Sequence, residues 1–291
     1  MKQFIIKSIS FLLQFLSRIS VRYGITHPKV IIRMDGGICS QMLMYLNGQY
    51  YRNVAEVIYD TTWFEVYGKD LDGRFDRKQE LTEMFPSLRF FTVDRKKSRF
   101  YKLFYSYSKI DGYLPLPDSI KRTTYFGGYY DMKPEDLEKL FACYFSANKV
   151  RALSIQLPDN QSLEGVTKVA VHIRRGDLAE REDRWYKKVP SSYFLNAISY
   201  VESLFPRCCL FFFSDEPEWV IANICPYVSR APFHVIKGNK AFEDLYLISL
   251  CDVVIASQGS FGPCGARING HSTLIKPSSD SSGGFSQVAL F

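Results

Sequence analysis

The stretch VHIRRGD, Val171–Asp177, sets a histidine, two adjacent arginines and an aspartate at the end of an apolar run. Val169, Ala170, Val171 and Ile173 read as a buried strand, which gathers His172, Arg174, Arg175 and Asp177 at its C-terminal end. In open α/β sheets, ligands bind at that end. A guanidinium offers forked donors that fit phosphate oxygens. Two in succession suit a diphosphate, with backbone N–H groups and a serine hydroxyl completing the cradle. RGD also spells a cell-adhesion tripeptide. That use needs an exposed flexible loop, and the position beside a core strand argues against it.

Two later runs end in the same way. CCLFFF leads into Ser214, Asp215 and Glu216, and VVIA leads into a Ser/Gly loop, Ser257–Gly262, that carries Ser260 and Phe261. Near the start, KVIIRMDGGICSQM reads as a strand from Val30 to Met34, then Asp35, Gly36 and Gly37, then a helix from about Ser40 that carries Gln41. A glycine turn into a helix N-terminus can face an anion. The same glycines also serve a plain strand-to-helix turn. The pattern is neither GxGxxG nor a Walker loop.

The elements needed to position these loops alternate along the chain. Val57–Tyr59 reads as a second strand, PEDLEKLFACYF as a helix and FHVIKG as a short strand. PSSYFLNAISYVESLFP has helical spacing, with Ser191 or Ser192 as the expected cap. In AFEDLYLISLCD, Glu243 and Asp244 stand where a helix begins, and capping is their plain reading. The polar stretch Leu157–Gly165 marks an approach to a second domain, and Pro277–Gly284 reads as a flexible turn or tail. The expected organisation is a helix over 1–27, an α/β domain over 28–160 and a second over 161–291.

Taken together, these segments resemble glycosyltransferase family 11, the α1,2-fucosyltransferases. VHIRRGD resembles the HxRRxD motif shared by the α1,2-, α1,6- and protein O-fucosyltransferases. IIRMDGGICSQM is similar to the family's GGxGNQ element, and FFFSDEPEWV and AFEDLYLISLCDVVIASQGSFG to its second and third motifs. The resemblance spans about residues 28–276. It implies a GT-B fold, two Rossmann-like α/β domains with a ligand cleft between them. It implies GDP-fucose as donor, with neither metal nor other cofactor, and inverting transfer to a glycan hydroxyl. The hydroxyl expected is the 2-OH of galactose or a related hexose, in an O-antigen, capsule or other surface-polysaccharide precursor that is lipid-linked or soluble. By the same resemblance, Arg174 and Arg175 neutralise the pyrophosphate, His172 helps to hold the loop and donor, and Asp177 braces the loop. Asp215 with Ser214 falls near the nucleoside. Ser260 and Phe261 fall at the phosphate, and Gly36, Gly37, Gln41 and Glu243 also take binding positions. Asp35 is one candidate base. Two departures bear on the acceptor: Ser40 precedes Gln41 where many members have Asn, and FGPCGA, Phe261–Ala266, replaces FSWWGA. Another nucleotide-linked deoxysugar as donor, or a nucleotide-sugar binding module without turnover, are the alternative readings.

Metal-dependent transferases hold Mg²⁺ or Mn²⁺ on Asp-rich motifs. Asp70 and Asp72 form an Asp-x-Asp pair here, in a loop rather than at a strand end. The 291 residues, 46% hydrophobic and 23% charged, fit a soluble globular protein. The net charge of +7 suits an anionic ligand or lipid surface, and nucleic acid is the least expected partner. Seven cysteines form no CxxC pair, and most lie in apolar runs, so reduced thiols in a cytoplasmic protein are expected. Residues 1–24 carry Lys2, Lys7, Arg18 and Arg22 and no acid. Phe4, Ile5, Ile9, Leu12, Phe15, Leu16 and Ile19 share one helical face, opposite Lys7, Ser10, Gln14, Ser17 and Arg18. The run reads as too short and interrupted to span a bilayer. It fits peripheral contact with an anionic inner membrane face, or else a helix packed on its domain.

Overall fold

The computed structural model describes residues 2–69, 73, 76–107, 112–159, 163–176, 189–278 and 283–289. The chain divides into two compact α/β units, Met1–Thr82 with Ser87–Tyr144, and Glu83–Pro86 with Phe145–Phe291. The second unit thus begins well before the expected boundary at residue 160. The reason is apolar burial: Phe145 meets Phe85 edge-on at 4.8 Å, and Leu157 packs into the second core.

In the first unit, α1 (Lys2–Arg22) precedes β1 (Lys29–Arg33), α2 (Ile38–Gln49), β2 (Glu56–Asp60), α3 (Thr62–Val66), α4 (Leu81–Met84, its end belonging to the other unit), α5 (Arg95–Tyr105), β3 (Thr124–Phe126) and α6 (Pro134–Phe145). The three strands are parallel in the order β2-β1-β3. The helix over the first residues is not a body apart: Leu13 packs against the cluster of Ile31, Ile58, Tyr105 and Tyr125. Residues 3–22 are also continuous helix whose most apolar 18-residue window has mean hydropathy 1.5, so by length and composition it is long and apolar enough to cross a membrane, contrary to the expectation from sequence.

The second unit holds β4 (Thr167–Ile173), α7 (Ser191–Leu204), β5 (Cys208–Ser214), α8 (Pro217–Asn223), β6 (Phe233–Ile236), α9 (Ala241–Ile248), β7 (Val253–Ala256), α10 (Phe261–Asn269), β8 (Thr273–Pro277) and β9 (Phe285–Ala289). Its sheet runs β6-β5-β4-β7-β8-β9, parallel except for β9. This is the Rossmann strand order with its last strand reversed. The order changes direction between β4 and β7, which opens a crevice at their C-terminal ends.

Both faces of this sheet are covered, so its strands are apolar at successive positions rather than alternately. Val169, Val171, Leu210, Phe212, Val253 and Ile255 meet one apolar layer, which includes Tyr193, Phe194, Ala197, Ile198 and Val201 of α7. Ala170, Phe211, Phe213 and Val254 meet the other, with Leu247 and Ile248 of α9 and Ala266 of α10. Helix α7 starts at Ser191 with Pro190 as its cap, so neither serine caps it by a side-chain hydrogen bond. Tyr193 is fully buried, and its hydroxyl donates to the carbonyls of Ala256 at 2.7 Å and Ile275 at 3.1 Å. That fixes the end of β7 just before the Ser257 loop.

Candidate active site

Three strand ends of the second sheet deliver the polar groups. Strand β4 ends at Ile173, and Arg174 and Arg175 follow at once. The Arg174 N–H donates to Ser257 Oγ at 2.9 Å, across the point where strand order reverses. The Arg175 N–H donates to Asp215 Oδ1 at 2.9 Å, across to the end of β5. The loop is therefore anchored on both sides through its own backbone.

The guanidinium groups are held as well. Arg174 Nε lies 3.5 Å from Asp215 Oδ2, and Arg175 Nε donates to Glu216 Oε2 at 3.0 Å. Trp219, in the first turn of α8, places its ring 3.8 Å beneath the Arg175 guanidinium carbon, a cation–π contact. Burial pushes the Asp215 carboxyl above its usual range, against the pull of the Arg175 N–H and the Arg174 charge. Gly176 gives Asp215 room, since a Cβ would sit 2.6 Å from Asp215 Oδ2 and force that carboxylate to shift. Ser214 Oγ accepts the Glu216 N–H at 3.0 Å and shapes the same turn.

His172 points to the α10 side of the sheet. Its ring stacks on Phe261 with centroids 5.1 Å apart, and Nδ1 has no hydrogen-bond partner. Burial, and then the Arg174 charge, push its pKa down to about 3. The imidazole is thus neutral near pH 7 and serves as a buried support. Helix α10 begins beside it: Ser260 is the N-cap without a side-chain capping bond, and Phe261 is the first helical residue. Gly262 lets that helix start close to the sheet, because a Cβ there would meet the Ala256 Cβ at 2.6 Å and His172 Nδ1 at 3.4 Å. The N-terminal end of α10, with its serine hydroxyl, stands beside the loop that carries the arginines.

The other expected residues fall elsewhere. Asp177 lies outside the described residues, as do Asp70 and Asp72. Glu243 accepts the Lys240 N–H at 2.7 Å, the capping role its position suggested. Its neighbour Asp244 is raised to about 6, chiefly by burial, and accepts from Asn239 at 2.9 Å. Asp35, Gly36, Gly37 and Gln41 belong to the first unit, after β1 and at the start of α2. Gly36 has φ +72 and faces Ser40 and the Tyr129 hydroxyl, where a Cβ would crowd both at 3.1 Å. Asp35 pairs with Arg33 and accepts from the Tyr129 hydroxyl at 2.8 Å. Gln41 is fully buried, donating to the carbonyls of Gly36 at 3.1 Å and Lys78 at 2.8 Å, and accepting from the Glu80 N–H at 3.1 Å. Its bonds secure the glycine turn.

Trp219 and Ser257 enter the site although the sequence pattern assigned them no role of their own, only a place within the segment FFFSDEPEWV and at the head of the Ser257–Gly262 loop. The signals for them were the short helix start after Pro217 and the serine directly after an apolar strand. Among the described residues, no three His, Cys, Asp or Glu side chains group as a metal site.

The sequence model of glycosyl transferase family 11 matches residues 102–282, more than half of the chain. No curated protein sequence matches. Among solved structures, NodZ α-1,6-fucosyltransferase soaked with GDP-fucose has TM-score 0.50 and 14% identity, covering 91% of this chain and 99% of that one. Selenomethionine NodZ from Bradyrhizobium has TM-score 0.49 and 13% identity, with the same coverage of 91% and 99%. A mutant of Arabidopsis thaliana FUT1 in complex with GDP has TM-score 0.48 and 14% identity, covering 87% of this chain and 71% of that one. The likeness to the first of these establishes the fold as GT-B.

Proposed function

The chain belongs to glycosyl transferase family 11, and from that premise we propose that it is an inverting fucosyltransferase with GDP-fucose as donor. The observation that carries this reading is the arginine pair, anchored through its backbone at the point where strand order reverses. Arg174 and Arg175 face a leaving diphosphate, and the α10 N-terminus with Ser260 offers further donors. As the bond from the sugar C1 to the phosphate oxygen breaks, its electron pair leaves with GDP. Fixed positive charges stabilise the negative charge that develops there. The acceptor oxygen bonds to C1 from the opposite face and inverts it, and the hydroxyl proton passes to a base or to water.

Asp215 and Glu216 orient the guanidinium groups, and Trp219 fixes the plane of Arg175. His172, neutral and stacked on Phe261, keeps the α10 start in register with that loop. The arginines supply the positive field that Mg²⁺ or Mn²⁺ gives in other transferases, so we propose turnover without metal. The proposed acceptor is the 2-OH of galactose or a related hexose in a surface-polysaccharide precursor, with the enzyme on the cytoplasmic side. The family supports that choice. FGPCGA at Phe261–Ala266 makes a test of several acceptors necessary.

The test couples binding to turnover. GDP should raise the melting temperature more than UDP or ADP. GDP-fucose should then release GDP when a galactose-, N-acetylgalactosamine- or N-acetylglucosamine-terminated acceptor is added, and the product linkage can be read by NMR. Preference for UDP, or protection by GDP with no acceptor-dependent release across the panel, would contradict the proposal.

A further inference from the structure

Helix α1 turns its polar stripe inward and its apolar face outward. Ser10 Oγ and Gln14 Nε2 each donate to the Phe104 carbonyl at 2.8 Å, and Ser17 Oγ accepts the Thr123 N–H at 3.0 Å. Phe4, Ile5, Phe11, Leu12, Phe15 and Leu16 are all at least 50% exposed, and Phe4 and Phe11 reach 75%. A helix on a soluble domain ordinarily does the reverse. An exposed apolar face of this extent marks an interaction surface.

Helix α5 packs alongside α1 and adds exposed Phe100 and Leu103. It also carries exposed Arg95, Lys96, Lys97, Arg99 and Lys102. Neither helix contains an acid. Nearby carboxylates are Asp94, which caps α5, and Glu65, which pairs with Arg95 at 3.1 Å. On α1, Phe11, Phe15, Arg18 and Arg22 follow at spacings of three and four, so one stripe runs from apolar to basic. That stripe ends at a cavity of about 760 Å³ whose lining includes Arg18, Arg22, Lys121 and Arg122, with no acid among the described lining residues. Burial, and then the Arg18 charge, lower the Arg122 pKa from its ordinary value. The cavity gathers positive charge with no carboxylate among its described lining residues to balance it.

We propose that α1 and α5 form one docking surface for an anionic lipid bilayer, with α1 lying in the interface and the basic cavity taking a lipid phosphate. Basic residues beside an apolar helix face are complementary to such a surface. A spanning α1 would have to release the bonds of Ser10, Gln14 and Ser17 and carry those groups into hydrocarbon. A second copy of the chain would bring an equally basic face against this one, and like charges oppose that pairing.

Co-sedimentation of the full chain with vesicles tests the proposal. Binding to vesicles containing phosphatidylglycerol should exceed binding to pure phosphatidylcholine by about tenfold or more, and should fall as salt rises. Phe11→Asp/Phe15→Asp, Lys96→Glu/Lys97→Glu and Arg22→Glu/Lys121→Glu should each weaken it by about tenfold or more. All six side chains are exposed, so the melting temperature should hold. Alkaline carbonate should release the bound protein. Equal binding to both vesicle types, or variants that bind like the parent, would overturn the proposal. So would retention after carbonate, which marks a spanning helix, or a dimer in solution that Phe11→Asp/Phe15→Asp dissociates without any vesicle binding. The readout is lipid binding, so it stands apart from the proposed donor.

Discussion

Arg175 is restrained from three directions: its N–H by Asp215, its Nε by Glu216 and its guanidinium plane by Trp219. A charge fixed before reaction needs little reorganisation when the diphosphate leaves. Arg175→Ala should therefore lower kcat by about 10²–10³ with little change in melting temperature. Arg175→Lys should remain impaired, because an ammonium cannot keep both the planar stack and the forked bond. Steady-state kinetics on both variants checks this, and near-parental turnover would remove Arg175 from the chemistry. His172 makes a prediction about pH. Its folded pKa is about 3, below the ordinary 6.5, so the unfolded chain binds the extra proton between those values. The neutral form's stability is fully present above pH 6.5 and is lost as pH falls toward 3, by at most about 1.4 kcal/mol per pH unit. Asp215 and Asp244, raised by burial, act with the opposite sign as pH rises. They are common to the parent and to His172→Phe, which keeps a ring against Phe261. In urea denaturation from pH 7 to 4, the parent should lose stability relative to His172→Phe as pH falls below about 6.5. A difference that stays constant with pH would mean that His172 titrates alike in the folded and unfolded chain.

At the scale of elements, close approach of α10 to the sheet sets the site. An added Cβ at Gly262 meets Ala256, and one at Gly265 meets the Ile248 side chain at 2.4 Å. Gly262→Ala should cost roughly 1–3 kcal/mol and displace the helix start from the arginine loop. Chemical denaturation would show it, with GDP affinity falling in step; unchanged stability would mean the contact relaxes freely. Strands β4, β5 and β7 were legible as apolar runs ending in polar loops, and that legibility carried the arginine site. Strands β3, β8 and β9 were not. Strand β3 has three residues, too few to show a period, and β9 includes Ser286 and Gln287 at the sheet edge. Trp219, though inside the segment FFFSDEPEWV, showed no sign of its role, because its place under Arg175 depends on where α8 starts. The polar stripe of α1 was legible from spacing, but which face would meet the protein was decided by partners at Phe104 and Thr123, far along the chain.

At the scale of the molecule, each unit places polar groups where its strand order reverses. In the first unit the Tyr129 hydroxyl, after β3, reaches Asp35, after β1. In the second, Arg174, after β4, reaches Ser257, after β7. Two sheets with parallel cores were legible because strand and helix patterns alternate. The unit boundary was not, because the polar stretch after Leu157 looks like a linker while Leu157 is already buried in the second core and buried Phe145 already belongs to the second unit. The central claim is that fixed arginine charges receive the GDP leaving group. It is tested most directly by acceptor-dependent release of GDP from GDP-fucose in excess EDTA, comparing the parent with Arg174→Ala/Arg175→Ala. The account predicts that the parent keeps its full rate in EDTA, while the double variant, still folded and still in EDTA, loses at least about 10²-fold. Loss of the parent's activity in EDTA with recovery on Mn²⁺ or Mg²⁺, or a double variant that turns over like the parent, would contradict it.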